Sequence, residues 1–180
     1  DTYKAETAAK AIEAGADIIN DIWGAKKDPD MAKVAAEYDV PIILMHNRDN
    51  MNYNDLINDM IADLKESISI VKEAGVKDEQ IIIDPGIGFA KTIEHNYIVM
   101  NRLDEIQKKL NYPLLLATSR KSFITKVLDI PPQERDNATG ATTCLGIVKG
   151  ANIVRVHDVK RNVELAKMMD AMLKGVFTDG

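Results

Sequence analysis

Three features of the sequence predict a parallel α/β fold that keeps its chemistry at the carboxyl ends of its strands. Short apolar runs recur roughly every 25 to 40 residues, the spacing of βα units. The run at 81–83 is bounded by turn residues and is too uniformly apolar for a strand with one wet face, as expected of a strand buried on both sides, whereas 153–157 alternates. Each run also ends in polar side chains: Ile19-Asn20-Asp21, Leu44-Met45-His46, Ile83-Asp84, Thr118-Ser119-Arg120-Lys121 and Arg155-Val156-His157-Asp158. Ligand sites of parallel α/β proteins lie at such strand ends.

The elements follow in order. Asp1-Thr2-Tyr3 reads as the polar end of a strand, and residues 5–14 form an Ala-rich helix closed by Gly15 at C′. A strand over 17–20 follows. Asp28-Pro29 predicts an N-cap with Pro at N1, opening a helix to residue 38. After the strand 42–45 and a polar Asn-rich loop, residues 56–74 place Leu56, Ile57, Met60, Ile61, Leu64, Ile68 and Val71 at helical spacing, with Met60 in the core. The strand at 81–83 runs into Asp84-Pro85-Gly86-Ile87-Gly88-Phe89-Ala90-Lys91, where Pro-Gly turns the chain and Gly88 permits close backbone approach. One helix is expected from a Thr92 cap to residue 110, with His95 on its surface. Then come the strand at 114–118, a helical turn at 122–128, a loop through Pro131-Pro132, a helix over 139–149, the strand 152–157, a helix over 162–174 and a frayed tail over 176–180.

The 180 residues suffice for one domain with a sizeable core, and neither a linker nor a low-complexity segment divides them. A net charge of −5 argues against a nucleic-acid partner, which requires a basic face. Cys144 is the single cysteine, so an intrachain disulfide is excluded; among Thr142, Thr143, Leu145 and Ile147 it reads as a packed thiol. No apolar run approaches the roughly 20 residues of a membrane span, and no leader opens the chain, so a cytoplasmic location is expected. Strand spacing alone does not separate a doubly wound sheet, complete at this length, from part of an eight-stranded barrel, which needs at least about 200 residues.

Asp84 is the leading candidate for chemistry, an acid at a strand end followed by two glycines and the flat face of Phe89. The glycines lack the third position of a dinucleotide fingerprint and the Gly-Lys-Ser/Thr ending of a P-loop. Arg155 and His157 are two residues apart and so share a face of their strand; an Arg among apolar strand residues must be paired or meet a ligand, and together they suit an anion. Ser119-Arg120-Lys121-Ser122 sets two cations and two hydroxyls at a core rim. Asn20 can both donate and accept, and with Asp1 and Asp84 it could read a ring bearing several N–H groups. His46 reads equally as a ligand contact or a satisfied residue at the core rim. The sequence contains neither zinc-ligand spacing nor a Ser-His-Asp set.

Taken together, Asp1-Thr2-Tyr3, Ile19-Asn20-Asp21, Leu44-Met45-His46, the 84–91 motif, Ser119-Arg120-Lys121-Ser122 and Arg155-Val156-His157-Asp158 resemble the bacterial dihydropteroate synthase family, in order and over nearly the whole chain. The resemblance implies a partial (β/α)8 TIM barrel of five to six βα units, forming a single incomplete pterin-binding domain over residues 1–180. It also implies a transferase of folate biosynthesis, homodimeric, that condenses dihydropterin pyrophosphate with 4-aminobenzoate and releases pyrophosphate. On that resemblance Asp1, Asn20, Asp84 and Lys121 bind the pterin ring with Met45 against its face. Phe89, Arg120 and Ser122 flank the aminobenzoate, Arg155 and His157 hold the pyrophosphate, and Asp84, Lys121 and Arg155 carry the chemistry. The family pattern begins ahead of Asp1, and its magnesium ligand falls in that earlier part, so Mg2+ has no expected ligand here. A methyltetrahydrofolate-dependent methyltransferase of the same barrel type and a non-catalytic pterin-binding fragment are the other readings; the Ser-Arg-Lys-Ser and Arg-x-His motifs argue against the former, since methyl transfer releases no pyrophosphate.

Overall fold

A computed structural model describes residues 1–175; the tail expected over 176–180 lies outside the described residues. Five strands alternate with helices: β1 (Ile19–Asp21), β2 (Ile42–Met45), β3 (Ile81–Asp84), β4 (Leu115–Leu116) and β5 (Ile153–Val154). The helices are α1 (Ala5–Glu13), α2 (Met31–Glu37), α3 (Leu56–Glu73), α4 (Ile93–Asn101), α5 (Leu103–Leu110), α6 (Asp136–Val148) and α7 (Val159–Lys174). β1, β2 and β3 pair in parallel, as do β4 and β5, and a parallel bridge from Ile83 to Leu114 joins the two groups. Every strand therefore lies beside its predecessor in sequence. That is the winding of a barrel wall; a doubly wound sheet would reverse its order at a switch point. Ahead of β1, the Thr2 N–H donates to the Asn20 carbonyl at 3.0 Å, which holds the first residues beside β1.

Alternation divides the strand residues between two cores. Ile19, Ile42, Leu44, Ile81, Ile83, Leu114 and Leu116 pack outward against helix residues such as Met31, Ile57, Met60, Leu64 and Ile106. Ile43, Leu115 and Ala117, with Ile82 against them, form a small separate cluster on the inner face. Burial of β2 on both faces accounts for its unbroken apolar run.

Local chemistry corrects several expected boundaries. Asp28 caps the turn that leads into α2, its Oδ1 accepting the Asp30 N–H at 3.1 Å although the helix proper starts at Met31; its Oδ2 also accepts the Ala5 N–H at 2.7 Å and so caps α1 across space. β1 is Ile19–Asp21 rather than 17–20, because the pairing register is set by β2. The helix expected from 93 to 110 breaks at Arg102, with Thr92 capping its first part through the His95 N–H at 3.1 Å. α6 begins three residues before Thr139, at Asp136, and α7 begins at Val159, where the Asp158 carboxylate accepts the Arg161 N–H. His95 is half-buried and meets Tyr53 edge-on at 5.3 Å, and Cys144 is half-buried on α6.

Candidate functional site

The same alternation selects which polar residues reach the inner face. Asn20 is in register with Ile43 and Ile43 with Ile82, while Met45 is in register with Asp84 one pleat further on. Ile153 is in register with Leu115, so Arg155, two residues on, shares that inner face. Asn20, Met45, Asp84 and Arg155 thus belong to one face at the carboxyl end of the wall, with Asn20 and Asp84 on strands separated only by β2.

Asp84 is buried to 1% exposure. Its Oδ1 accepts the Gly86 N–H at 2.7 Å, and its Oδ2 is buried without a partner. Burial pushes the carboxyl pKa up, while the Gly86 N–H and the charges of Lys121, Arg155 and Lys91 pull it back. The Asn20 amide nitrogen donates to an Asp1 carboxylate oxygen at 2.6 Å, and its Oδ1 also lacks a partner. Among the described residues these are the two buried side-chain atoms left unsatisfied. Leaving a buried acceptor unpaired costs about 1–3 kcal/mol, a cost that hydrogen bonds from a ligand's N–H groups would remove.

The loop after β3 is shaped around this carboxylate. Gly86 adopts φ +64°, and a Cβ there would strike the His46 carbonyl, so the position admits only glycine. Gly88, at φ +86°, gives way to the Lys121 side chain, which would lie 3.2 Å from a Cβ. Lys121 donates to the Ile87 carbonyl and lies 4.9 Å from the centre of the Phe89 ring. Burial pushes its pKa down to about 8, against the pull of Asp84, with Arg155 adding to the depression. Met45 is fully buried beneath the loop, while Phe89 is half-exposed.

The mouth carries the remaining charge. Arg155 pairs with Asp1 at 3.0 Å across a cavity of about 300 Å3 that Ser119, Lys121 and His157 also line. Ser119 was legible only as one hydroxyl of its motif; in the fold its Oγ accepts the His157 backbone N–H at 3.1 Å and sits 2.7 Å from His157 Nδ1. Ser119 thus fixes the His157 ring through Nδ1 and leaves Nε2 turned away from that bond.

Arg120 forks onto Asp136 with both bonds at 2.8 Å, so its guanidinium is committed to α6, and Ser122 is exposed at the start of a 3-10 turn. His46, left open between ligand and core, is a core residue at 1% exposure, held by Asp63 and Lys91. Arg135, in the charged segment that follows Pro131-Pro132, is buried and donates to the carbonyls of Ile130 and Arg120, both at 3.1 Å, which fixes the backbone leading into Lys121. A charged run bore no sign of this, because the carbonyls that Arg135 reaches are gathered only by the fold.

A sequence profile described as pterin binding enzyme matches residues 1–157. A dihydropteroate synthase of Bacillus subtilis is 66% identical over 173 residues, covering 96% of this chain and 60% of that protein. Its counterpart in Clostridium beijerinckii is 60% identical over 175 residues, covering 97% of this chain and 65% of that protein. The chain thus spans less than two thirds of the length of these relatives. Among solved structures, a dihydropteroate synthase from Clostridium difficile in the presence of pteroic acid superposes with a TM-score of 0.94 at 47% identity, over 96% of this chain and 66% of that one. A Yersinia pestis dihydropteroate synthase in complex with a sulfonamide drug superposes with a TM-score of 0.92 at 33% identity, over 98% of this chain and 66% of that one.

Proposed function

The chain belongs to the family of pterin-binding enzymes, and its fold is part of a (β/α)8 barrel; from that premise we propose that it forms the greater part of a dihydropteroate synthase. The observation that carries the reading is the pair of buried, unpartnered acceptors, Asn20 Oδ1 and Asp84 Oδ2, on near-adjacent strands. A pterin presents a ring N–H and an exocyclic amino group along one edge, and that edge supplies the donors these oxygens lack. Lys121 and Met45 complete the ring site, and Phe89 offers a flat face for an aminobenzoate. The pteroic acid and sulfonamide bound by the related synthases combine or mimic these two moieties.

In the proposed reaction the amine nitrogen of 4-aminobenzoate forms a bond to the exocyclic methylene of 6-hydroxymethyl-7,8-dihydropterin pyrophosphate. The carbon–oxygen bond to the diphosphate breaks, pyrophosphate leaves with the electron pair, and the nitrogen sheds a proton. As that bond stretches, positive charge spreads into the pterin, where the Asp84 carboxylate stabilises it. Negative charge grows on the leaving group, where Arg155 and His157 can receive it. No side-chain nucleophile is required. These cations favour pyrophosphate release over methyl transfer, which generates no such anion. Mg2+, whose principal ligand is expected outside these residues, remains part of this proposal, and no step is drawn through it. No described helix is long and apolar enough to cross a membrane; dimerisation and a cytoplasmic location remain part of this proposal.

Calorimetric titration with pteroic acid and, separately, inorganic pyrophosphate tests the assignment. Asp84→Asn is expected to weaken pteroic acid at least about tenfold, and Arg155→Met to weaken pyrophosphate while sparing pteroic acid. Unchanged pteroic acid affinity in Asp84→Asn, or equal loss of both ligands in Arg155→Met, overturns it.

A further inference from the structure

Lys91 closes the 84–91 motif, yet nothing in the reaction above uses it. It is only 6% exposed, and its ammonium has a full set of three acceptors. These are His46 Nδ1 at 2.9 Å, the Gly86 carbonyl at 3.0 Å and the Phe89 carbonyl at 3.0 Å. Three protons meet three acceptors, so the group is saturated and has no valence left for a ligand. Behind it, His46 Nε2 lies 2.9 Å from Asp63 Oδ2, and Arg48 binds the same carboxylate. Since the ammonium donates to Nδ1, Nε2 carries the imidazole proton and donates to Asp63. Tyr53 closes the arrangement: its ring lies under the Arg48 guanidinium at 4.5 Å, and its hydroxyl donates to the Ala90 carbonyl at 2.8 Å.

The two carbonyls that Lys91 holds belong to the residues that shape the site. The Gly86 amide gives Asp84 Oδ1 its hydrogen bond, and the Gly86 carbonyl is pinned by Lys91. Ile87, next in sequence, anchors Lys121 through its own carbonyl, and Phe89 is pinned at its carbonyl two residues further on. We propose that Lys91 is a positioning residue of the pterin site: braced by His46 and Asp63, its ammonium sets the 85–90 loop so that the free oxygen of Asp84, the Lys121 ammonium and the Phe89 ring meet the ligand together. This rests on the pterin site proposed above and adds a residue to it that touches no substrate.

The charge has a second effect. Asp84 is faced by Lys121 from the β4 loop, Arg155 from β5 and Lys91 from its own loop, and Lys91 in turn is faced by Asp84, Asp63, Lys121 and Arg48. Removing Lys91 removes one of the cations that keep a buried carboxylate ionised, so the pH below which Asp84 ceases to accept from the ligand must rise.

The test is titration of the chain with pteroic acid and, separately, inorganic pyrophosphate between pH 5 and 8, for the wild type, Lys91→Met, Asp63→Asn and Asp84→Asn. Lys91→Met is expected to weaken pteroic acid about tenfold or more at pH 6, to leave pyrophosphate within about twofold, and to shift the acid limb of pteroic acid binding to higher pH. General loosening of the chain would weaken both ligands and leave that limb where it was. Should Lys91→Met fail to fold, Asp63→Asn decides, since it removes the brace behind His46 without opening a cavity; about threefold or greater selective loss of pteroic acid is expected. Pteroic acid affinity within about twofold of wild type in the folded variant, or parallel loss of both ligands, overturns the proposal. If Asp84→Asn also binds pteroic acid normally, the pterin site itself is wrong. If only Asp84→Asn loses it, the site stands and Lys91 has no positioning role.

Discussion

Replacing Lys121 by Met should separate the demands of the site from those of the fold. The ammonium is largely enclosed, and burial holds its pKa at about 8 against an ordinary 10.5. A lysine whose pKa is depressed on folding binds fewer protons folded than unfolded, here between pH 8 and 10.5. Wild-type stability must therefore rise with pH across that window, and below pH 8 the full cost of burying the charge is present. At 1.36 kcal/mol per pKa unit the cost is about 3 kcal/mol, an upper figure because water reaches one side of the chain. Met keeps the packing against Gly88 and Phe89 and cannot titrate. Urea denaturation at several pH values should find Lys121→Met no less stable than wild type at pH 7, with the difference between the two falling by up to about 3 kcal/mol as pH rises from 8 to 10.5. Lys91, whose pKa is lowered to about 7 by burial first and by Lys121 in part, adds a further rise in both proteins, a smaller one in the variant. Pteroic acid affinity should fall about tenfold to a hundredfold, the worth of a charge-assisted hydrogen bond. Parallel pH–stability curves, or unchanged affinity, would refute the assignment of a buried charge kept for the ligand.

Gly86→Ala should destabilise the chain by about 2 kcal/mol or more in the same assay, because φ +64° is strained for alanine and the new Cβ meets the His46 carbonyl, which β2 cannot move; a loss under about 0.5 kcal/mol would show the loop relaxing freely. His46 has its pKa lowered to about 4 by burial, opposed by Asp63, so the unfolded state takes up the proton first as pH falls from 6.5. Its contribution is complete above pH 6.5 and is lost toward pH 4, by up to about 3 kcal/mol, and His46→Gln should flatten that limb. Asp63 adds a loss at still lower pH: burial alone would raise its pKa, yet the hydrogen bonds from His46 and Arg48 hold it well below the usual carboxylate range, so Asp63→Asn should lessen the remaining acid sensitivity below pH 3.8.

The sequence by itself determined what depends on near neighbours. The unbroken apolar runs required strands buried on both faces, and polar residues at their ends placed the chemistry at one rim. Period-two spacing put Arg155 and His157 together, and Thr92 and Gly15 marked helix ends, because alternation and capping act within a few residues. Only the tertiary structure decided what depends on distant partners. Sequential pairing of β1 through β5 chose a barrel wall over a doubly wound sheet, a choice on which strand spacing is silent. Asp28 reads locally as the cap ahead of α2 and does accept the Asp30 N–H there, but its second oxygen also caps α1, since the orphan Ala5 N–H comes within reach only after folding. The bland loop residue Arg135 and the motif's last residue, Lys91, are buried clamps on main-chain carbonyls for the same reason: a cation's partners are chosen by proximity in space, and the carbonyls that hold them are not written in side-chain identity. Asp84 shows both levels in one residue. Its place at a strand end is local, whereas its burial with one oxygen unpaired, on the same face as Asn20 with β2 between them, depends on the parallel pairing of β1, β2 and β3.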